Sequence, residues 1–84
     1  MADRKTGVIG IPDVGDKTRY ISCRYEITCN KRRSRKYGLN GGKITQLTIR
    51  VNGEETASYD RHWIMEPVDE PSQMALCILL YSHN

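Results

Sequence analysis

The sequence predicts an α+β domain in which about four antiparallel strands are packed by one C-terminal helix. Three observations carry this. Ile21–Cys29 alternates apolar and polar residues with period two, the spacing of a strand with one buried face. Asn52-Gly53 separates two further runs of this kind, and Asn-Gly is the strongest short hairpin signal because both turn positions need φ > 0. From Asp69 on, the apolar residues recur at helical spacing.

The elements follow in order. Thr6–Pro12 is a short apolar run with Gly7 and Gly10, closed by Pro12, which predicts a weak edge strand. Asp13–Thr18 is a turn by its Gly and Asp content. In the second strand Ile21, Cys23, Tyr25, Ile27 and Cys29 share the buried face. Lys31–Gly42 connects it to the third strand, and Asn40-Gly41-Gly42 suits a turn with φ > 0, where a Cβ would clash. In the third strand Thr45, Leu47, Ile49 and Val51 share one face; in the returning strand Ala57, Tyr59 and Arg61 do so. Glu66 precedes Pro67 and is therefore extended. A helix is expected over about residues 70–82, capped by Asp69 with Pro71 in its first turn. Met74, Cys77, Ile78 and Tyr81 follow helical spacing, and Leu76, Leu79 and Leu80 widen the apolar arc. A helix this apolar is expected to lie largely covered by the buried face of the sheet. Residues 1–84 then form one domain with a basic loop at 31–38.

Size and charge narrow the function. Eighty-four residues leave little room for an enclosed active site with its supporting shell. Residues 1–50 carry twelve Lys or Arg against four Asp or Glu, a net of +8; residues 51–84 carry one against six, a net of −5. A two-signed chain suits docking to a two-signed partner and is a poor mimic of DNA. Three cysteines form no disulfide framework, there is no apolar leader, and no run reaches transmembrane length. A cytoplasmic location with reduced thiols is expected.

Lys31, Arg32, Arg33, Arg35 and Lys36 place five cations within six residues, with Tyr37 beside them. Three readings stay open. The run can contact phosphate, with Tyr37 stacking a base; it can dock on a protein; or it is a solvated connection. Zinc favours sulfur and nitrogen ligands, and Cys23, Cys29, His62, Cys77 and His83 are the candidates. Cys23 and Cys29 lie about 20 Å apart at strand rise and cannot share an ion. The end of the second strand lies near Arg61–Trp63 in a meander, so Cys29 and His62 are the first two ligands of any zinc site. Cys23 and Cys77 fit the core better. No motif sets a histidine beside a nucleophile. "GLNGGK" lacks the phosphate-loop spacing and leads into a strand. Trp63 reads as a core anchor under the helix.

The block Tyr37, Gly38, Asn40, Gly41, Gly42, Lys43, Ile44, Leu47, Ile49, then Tyr59, Asp60, Arg61 and Trp63 resembles a small uncharacterised family of short proteins of bacteria and their prophages. His62 stands where that pattern has Gly, which argues against a shared tight turn there. The resemblance covers about the last fifty residues and implies no activity. Ile44–Asn52 is also similar to a strand of a prophage-encoded anti-CRISPR protein that blocks an RNA-guided DNA nuclease. That relative is acidic and mimics DNA, which this basic first half cannot do.

These observations lead to an expectation of a non-enzymatic, phage-type inhibitor that binds a host defence protein, a CRISPR nuclease being the type case, and hinders DNA loading. Its surface would be Lys31, Arg32, Arg33, Arg35, Lys36, Tyr37, Tyr59 and Arg61. One alternative is a small nucleic-acid-binding protein that uses the same loop on phosphate. Another is a zinc-stabilised interaction module with Cys29 and His62 as ligands.

Overall fold

A computed structural model describes residues 3–13 and 15–84. Among these residues the chain forms five strands and one α-helix: β1 (Asp3–Asp13), β2 (Asp16–Cys29), β3 (Ile44–Val51), β4 (Glu54–Asp60), β5 (Trp63–Met65) and α1 (Glu70–His83). The strands make one antiparallel meander in the order β1-β2-β3-β4-β5. The expected α+β architecture is present, with five strands where about four were expected.

The added strand comes from the returning run. Arg61 adopts φ 63, so β4 stops at Asp60 and the chain reverses. The amide of Asp60 donates to the His62 carbonyl at 3.0 Å, and the amide of Arg61 donates to the Thr45 carbonyl at 2.9 Å. Trp63 then pairs with Tyr59, and Met65 with Ser58. A tight turn thus forms with His62 in place, because the left-handed residue is Arg61.

β1 is the expected edge strand, but it extends from Asp3 rather than Thr6. Pro12 lies near its end, paired with Tyr20. Gly7 pairs with Tyr25, and a Cβ at Gly7 would meet the Tyr25 ring. The Asp13–Asp16 turn is held by short acceptors: Asp13 accepts from the Gly15 amide, and Asp16 from the Thr18 amide and hydroxyl. Those two bonds hold the exposed Asp16 carboxyl below the usual carboxylate range.

Period two sets the core. Cys23 and Ile27 on β2 align with Val51 and Leu47 on β3, and Leu47 and Ile49 align with Tyr59 and Ala57 on β4. These side chains face α1, which contributes Ala75 and Leu79. The pairing slips between Thr28 and Cys29, so Cys29 sits opposite Ile44. Ile44 is fully buried as a result.

α1 starts as expected. Asp69 accepts from the Ser72 amide and Ser72 hydroxyl, with Pro71 in the first turn. Ser72 is fully buried, and its hydroxyl also meets the Thr56 hydroxyl at 2.6 Å. Since Ser72 donates to Asp69, it accepts from Thr56. The buried face of the helix is Ser72, Ala75 and Leu79, with Leu76 and Leu80 half-buried.

The covered-helix expectation is therefore corrected. Met74, Ile78 and Tyr81 are 39%, 42% and 94% exposed, and Cys77 is exposed with them. The helix turns Ser72, Ala75 and Leu79 inward, where the two small residues allow a close approach to the sheet, and leaves the Met74, Cys77, Ile78 and Tyr81 stripe outward. Cys23 is in the core as expected; Cys77 is not.

Candidate functional site

A meander sorts its connections to two ends, and here it sorts charge as well. The β2–β3 and β4–β5 connections and the end of α1 share one end of the sheet. That end carries Lys31, Arg32, Arg33, Arg35, Lys36, Lys43 and Arg61 against Asp3 and Asp60. The β1–β2 and β3–β4 turns and the start of α1 share the other. It carries Asp13, Asp16, Glu54, Glu55, Asp69 and Glu70 against Arg19, Arg24 and Arg50. The molecule measures 40 Å by 20 Å by 19 Å. The asymmetry of the sequence has become a separation of charge between opposite ends of the sheet.

The basic loop has a fixed frame. Ser34 is its hub: its amide donates to the Gly42 carbonyl at 2.9 Å and its carbonyl accepts from Gly38 at 2.9 Å. Its hydroxyl accepts from the Tyr37 amide at 3.0 Å. The Asn30 amide donates to Lys43 at 2.8 Å, closing the neck. Between these anchors Lys31, Arg32, Arg33, Arg35 and Lys36 are exposed. Among the described residues the ion pairs are Arg4–Glu26 and Arg50–Glu26, so none of the five loop cations is neutralised by one.

Leu39–Gly41 forms a single 3-10 turn under the loop, with Asn40 at φ 52 and Gly41 at φ 70. Asn84 locks it from the helix side. Its side-chain amide donates to the Leu39 carbonyl at 2.9 Å and its oxygen accepts from the Ile44 amide at 3.0 Å. Its backbone amide donates to Leu80 at the helix end. A Cβ at Gly42 would collide with this side chain, and one at Gly38 with the Gly42 carbonyl. The glycines of the loop are there for close backbone approach as well as for turn geometry.

Tyr37 joins the loop to the β4–β5 turn. Its ring lies 5.2 Å from the Lys36 ammonium and 5.4 Å from the Arg61 guanidinium, within cation–π range. Tyr59 donates its hydroxyl to the Tyr37 carbonyl at 3.0 Å and packs edge-on against Trp63, ring centres 5.2 Å apart. Lys36, Tyr37, Gln46, Asp60, Arg61 and His62 line a shallow open depression there.

The residues expected to form the surface divide accordingly. Lys31, Arg32, Arg33, Arg35, Lys36, Tyr37 and Arg61 are exposed at one end of the molecule. Tyr59 is buried, and burial pushes its phenol up; it braces Tyr37 rather than offering contact area. Trp63 is half-buried beside the core. Sequence reasoning did not reach Ser34 or Asn84, because a polar residue in a loop or at a helix end gives no sign of a distant partner.

Cys29 is buried in the core, and burial raises its thiol, whereas His62 is exposed on the β4–β5 turn. Among the described residues no three His, Cys, Asp or Glu side chains converge as metal ligands. No described helix is long and apolar enough to cross a membrane.

No curated protein and no solved structure matches the chain. A family model does, and it spans residues 3–84, so β1 and β2 belong to the match as much as the block that begins at Tyr37. The chain is a member of the family described as a domain of unknown function, DUF7678.

Proposed function

We propose that the protein acts by binding and performs no chemistry of its own. Its target in this reading is a host defence protein, the type case being an RNA-guided DNA nuclease that is kept from loading DNA. The observation that carries the reading is the braced loop. Five cations are held on a rigid backbone frame with no acidic partner among the described residues. Preorganised charge loses little entropy on docking and steers encounter with an acidic surface. The similarity of Ile44–Asn52 to an anti-CRISPR strand supplies the choice of target.

The test is a reconstituted RNA-guided cleavage reaction titrated with the protein and with an Arg32→Glu, Arg33→Glu, Arg35→Glu variant. Inhibition by the wild type that is lost in the folded variant supports the reading. Full cleavage at saturating wild-type protein across the host's own nucleases sinks the nuclease target.

A second reading has its own observation. Tyr37 is 41% exposed, with two cations against its ring, an arrangement that suits a base stacked beside phosphate contacts. It requires single-strand affinity to fall with salt by a log–log slope of about −0.7 for each phosphate neutralised. A flat salt response removes it.

A further inference from the structure

α1 covers one face of the sheet, and among the described residues no element covers the other. The even-numbered residues of β1, β2 and β3 fill that open face, and the register sets their rows. Arg4, Thr28 and Gln46 stand side by side, then Thr6, Glu26 and Thr48, then Val8, Arg24 and Arg50. Beyond them Tyr20 sits opposite Pro12. The surface is shallow and continuous. Thr28 and Gln46 border Tyr37 and Arg61 in one depression and Arg4 and Glu26 in the next. Glu26 and Thr48 join that one to a third, which reaches Arg24 and Arg50. The open face therefore runs on from the candidate site at Tyr37.

Two features of this face call for a ligand. Arg24 and Arg50 stand directly opposite each other, and like charges so placed are destabilising. Within the chain this is not offset. Glu26 bonds Arg4 at 2.9 Å and lies 3.9 Å from Arg50, while Arg24 has no ion pair among the described residues. Glu55, opposite Arg50 on β4, forms none with it. One anion between the two guanidiniums would relieve the repulsion through charge-assisted hydrogen bonds. Thr6 and Thr48 line the same depression. The second feature is a flat ring at each end of the face. Tyr37 is 41% exposed and Tyr20 is 70% exposed. A Cβ on Gly10 would touch the Tyr20 ring, so this ring lies along the open face. A single nucleic-acid strand alternates phosphates with flat bases. This face alternates cations with flat rings: Arg61 with Tyr37, then Arg24 and Arg50 with Tyr20. An acidic protein segment would use the cations and leave the rings without a role.

We propose that the open face of the sheet binds a single strand of nucleic acid, which runs along β2 and β3 from Tyr37 to Tyr20 and sets one phosphate between Arg24 and Arg50. Tyr20 stacks a base two residue rows beyond that phosphate, about 13 Å along β2 from Arg24. The Asp13 and Asp16 carboxylates in the β1–β2 turn repel further phosphates and end the track. The surface stands whether the basic loop meets a protein or a phosphate, because Tyr20, Arg24 and Arg50 lie outside the loop.

The experiment is fluorescence anisotropy of a labelled oligo(dT) of about ten nucleotides, titrated with the full chain at several salt concentrations. Binding should weaken with salt. Arg24→Gln with Arg50→Gln should bind about tenfold less tightly, with a log–log salt slope smaller by about 0.7, the loss of one phosphate contact. Tyr20→Ala should also bind about tenfold less tightly, with the slope unchanged. On the wild type, nuclear magnetic resonance should show the Arg24 and Arg50 side-chain N–H and the Tyr20 ring shifting with oligo(dT), and the Ile78 methyl groups on α1 still. No binding of oligo(dT) or oligo(U) at low salt overturns the proposal. So do shifts confined to residues 31–37, or binding indifferent to both variants, which would place all of it on the loop. Polyglutamate that competes as well as oligo(dT) overturns it in favour of an acidic protein. The loop readings are judged on their own variant, Arg32→Glu, Arg33→Glu, Arg35→Glu, so either can fail without the other.

Discussion

Two Asn-Gly turns stand on either side of β3. Asn40-Gly41 has φ values of 52 and 70; Asn52-Gly53 has 55 and 80. Residue types and backbone are nearly the same, yet the surroundings differ. Asn52-Gly53 joins two strands and stands open, with nothing near a Cβ placed on Gly53. Asn40-Gly41 sits inside a frame: Gly38 lets backbones touch, Gly42 leaves room for the Asn84 side chain, and Asn84 clasps the turn by a bond to Leu39, 45 residues away. The local chemistry of a turn fixes its shape; what it is fastened to decides whether it can hold up a loop. One turn reverses the chain, and the other supports five unneutralised cations.

This contrast can be broken in graded steps. The largest effect is expected from Gly42→Ala, whose Cβ would enter the space of the Asn84 side chain. Overpacking of this kind costs about 3 kcal/mol, read as a fall in the urea midpoint. Asn84→Ala comes next, since it strands the Leu39 carbonyl and the Ile44 amide. It should cost about 2–3 kcal/mol. Gly41→Ala and Gly53→Ala form a matched pair, because both have φ > 0 and open space for a Cβ. Each should cost about 1–2 kcal/mol for the left-handed backbone alone. A much larger loss at Gly41 would show that the frame amplifies strain, and the equality predicted here would fail.

Smaller effects sharpen the comparison. Tyr59→Phe removes one hydrogen bond to the Tyr37 carbonyl and should cost about 1 kcal/mol, with faster amide exchange confined to the loop. The smallest effect is one of pH. Burial, then Lys5, lowers the His83 pKa from its ordinary 6.5. A lowered value means the unfolded chain takes the proton first. Stability from this group is thus full above pH 6.5 and declines as pH falls below it toward the folded value. His83→Gln should flatten the thermal midpoint between about pH 7 and 5.5 relative to the wild type. An identical slope in both would remove His83 as the cause.

Much of this fold was legible because one-sided strands print their period in the sequence. Ile21 to Cys29 and Leu47 to Val51 were readable for that reason, as were both Asn-Gly turns. The β4–β5 reversal was not, because Arg61 takes a left-handed conformation that its residue type does not announce. The helix misled in a different way. Ser72 and Ala75 look weakly apolar and are buried; Met74, Ile78 and Tyr81 look strongly apolar and are exposed. Depth of burial there is set by how near the helix must come to the sheet, a quantity hydropathy does not contain. The loop cations were legible as charge. Their frame was not, since Ser34 and Asn84 act through partners that only the folded chain brings close.

β1 has a consequence for the molecule in a crowded cell. An eleven-residue strand at the border of a sheet offers a row of backbone groups to any extended chain that drifts past, the first step toward fibrils. The opposite border, β5, escapes by being three residues long. β1 relies on chemistry instead. Arg4 and Lys5 place positive charge at one end of it, and Pro12 removes an amide donor near the other. Variants that swap these residues for Val or Thr would fold as well or better by β-propensity and would still be worse proteins, because what they lose is protection against their own neighbours in the unfolded and assembling pool.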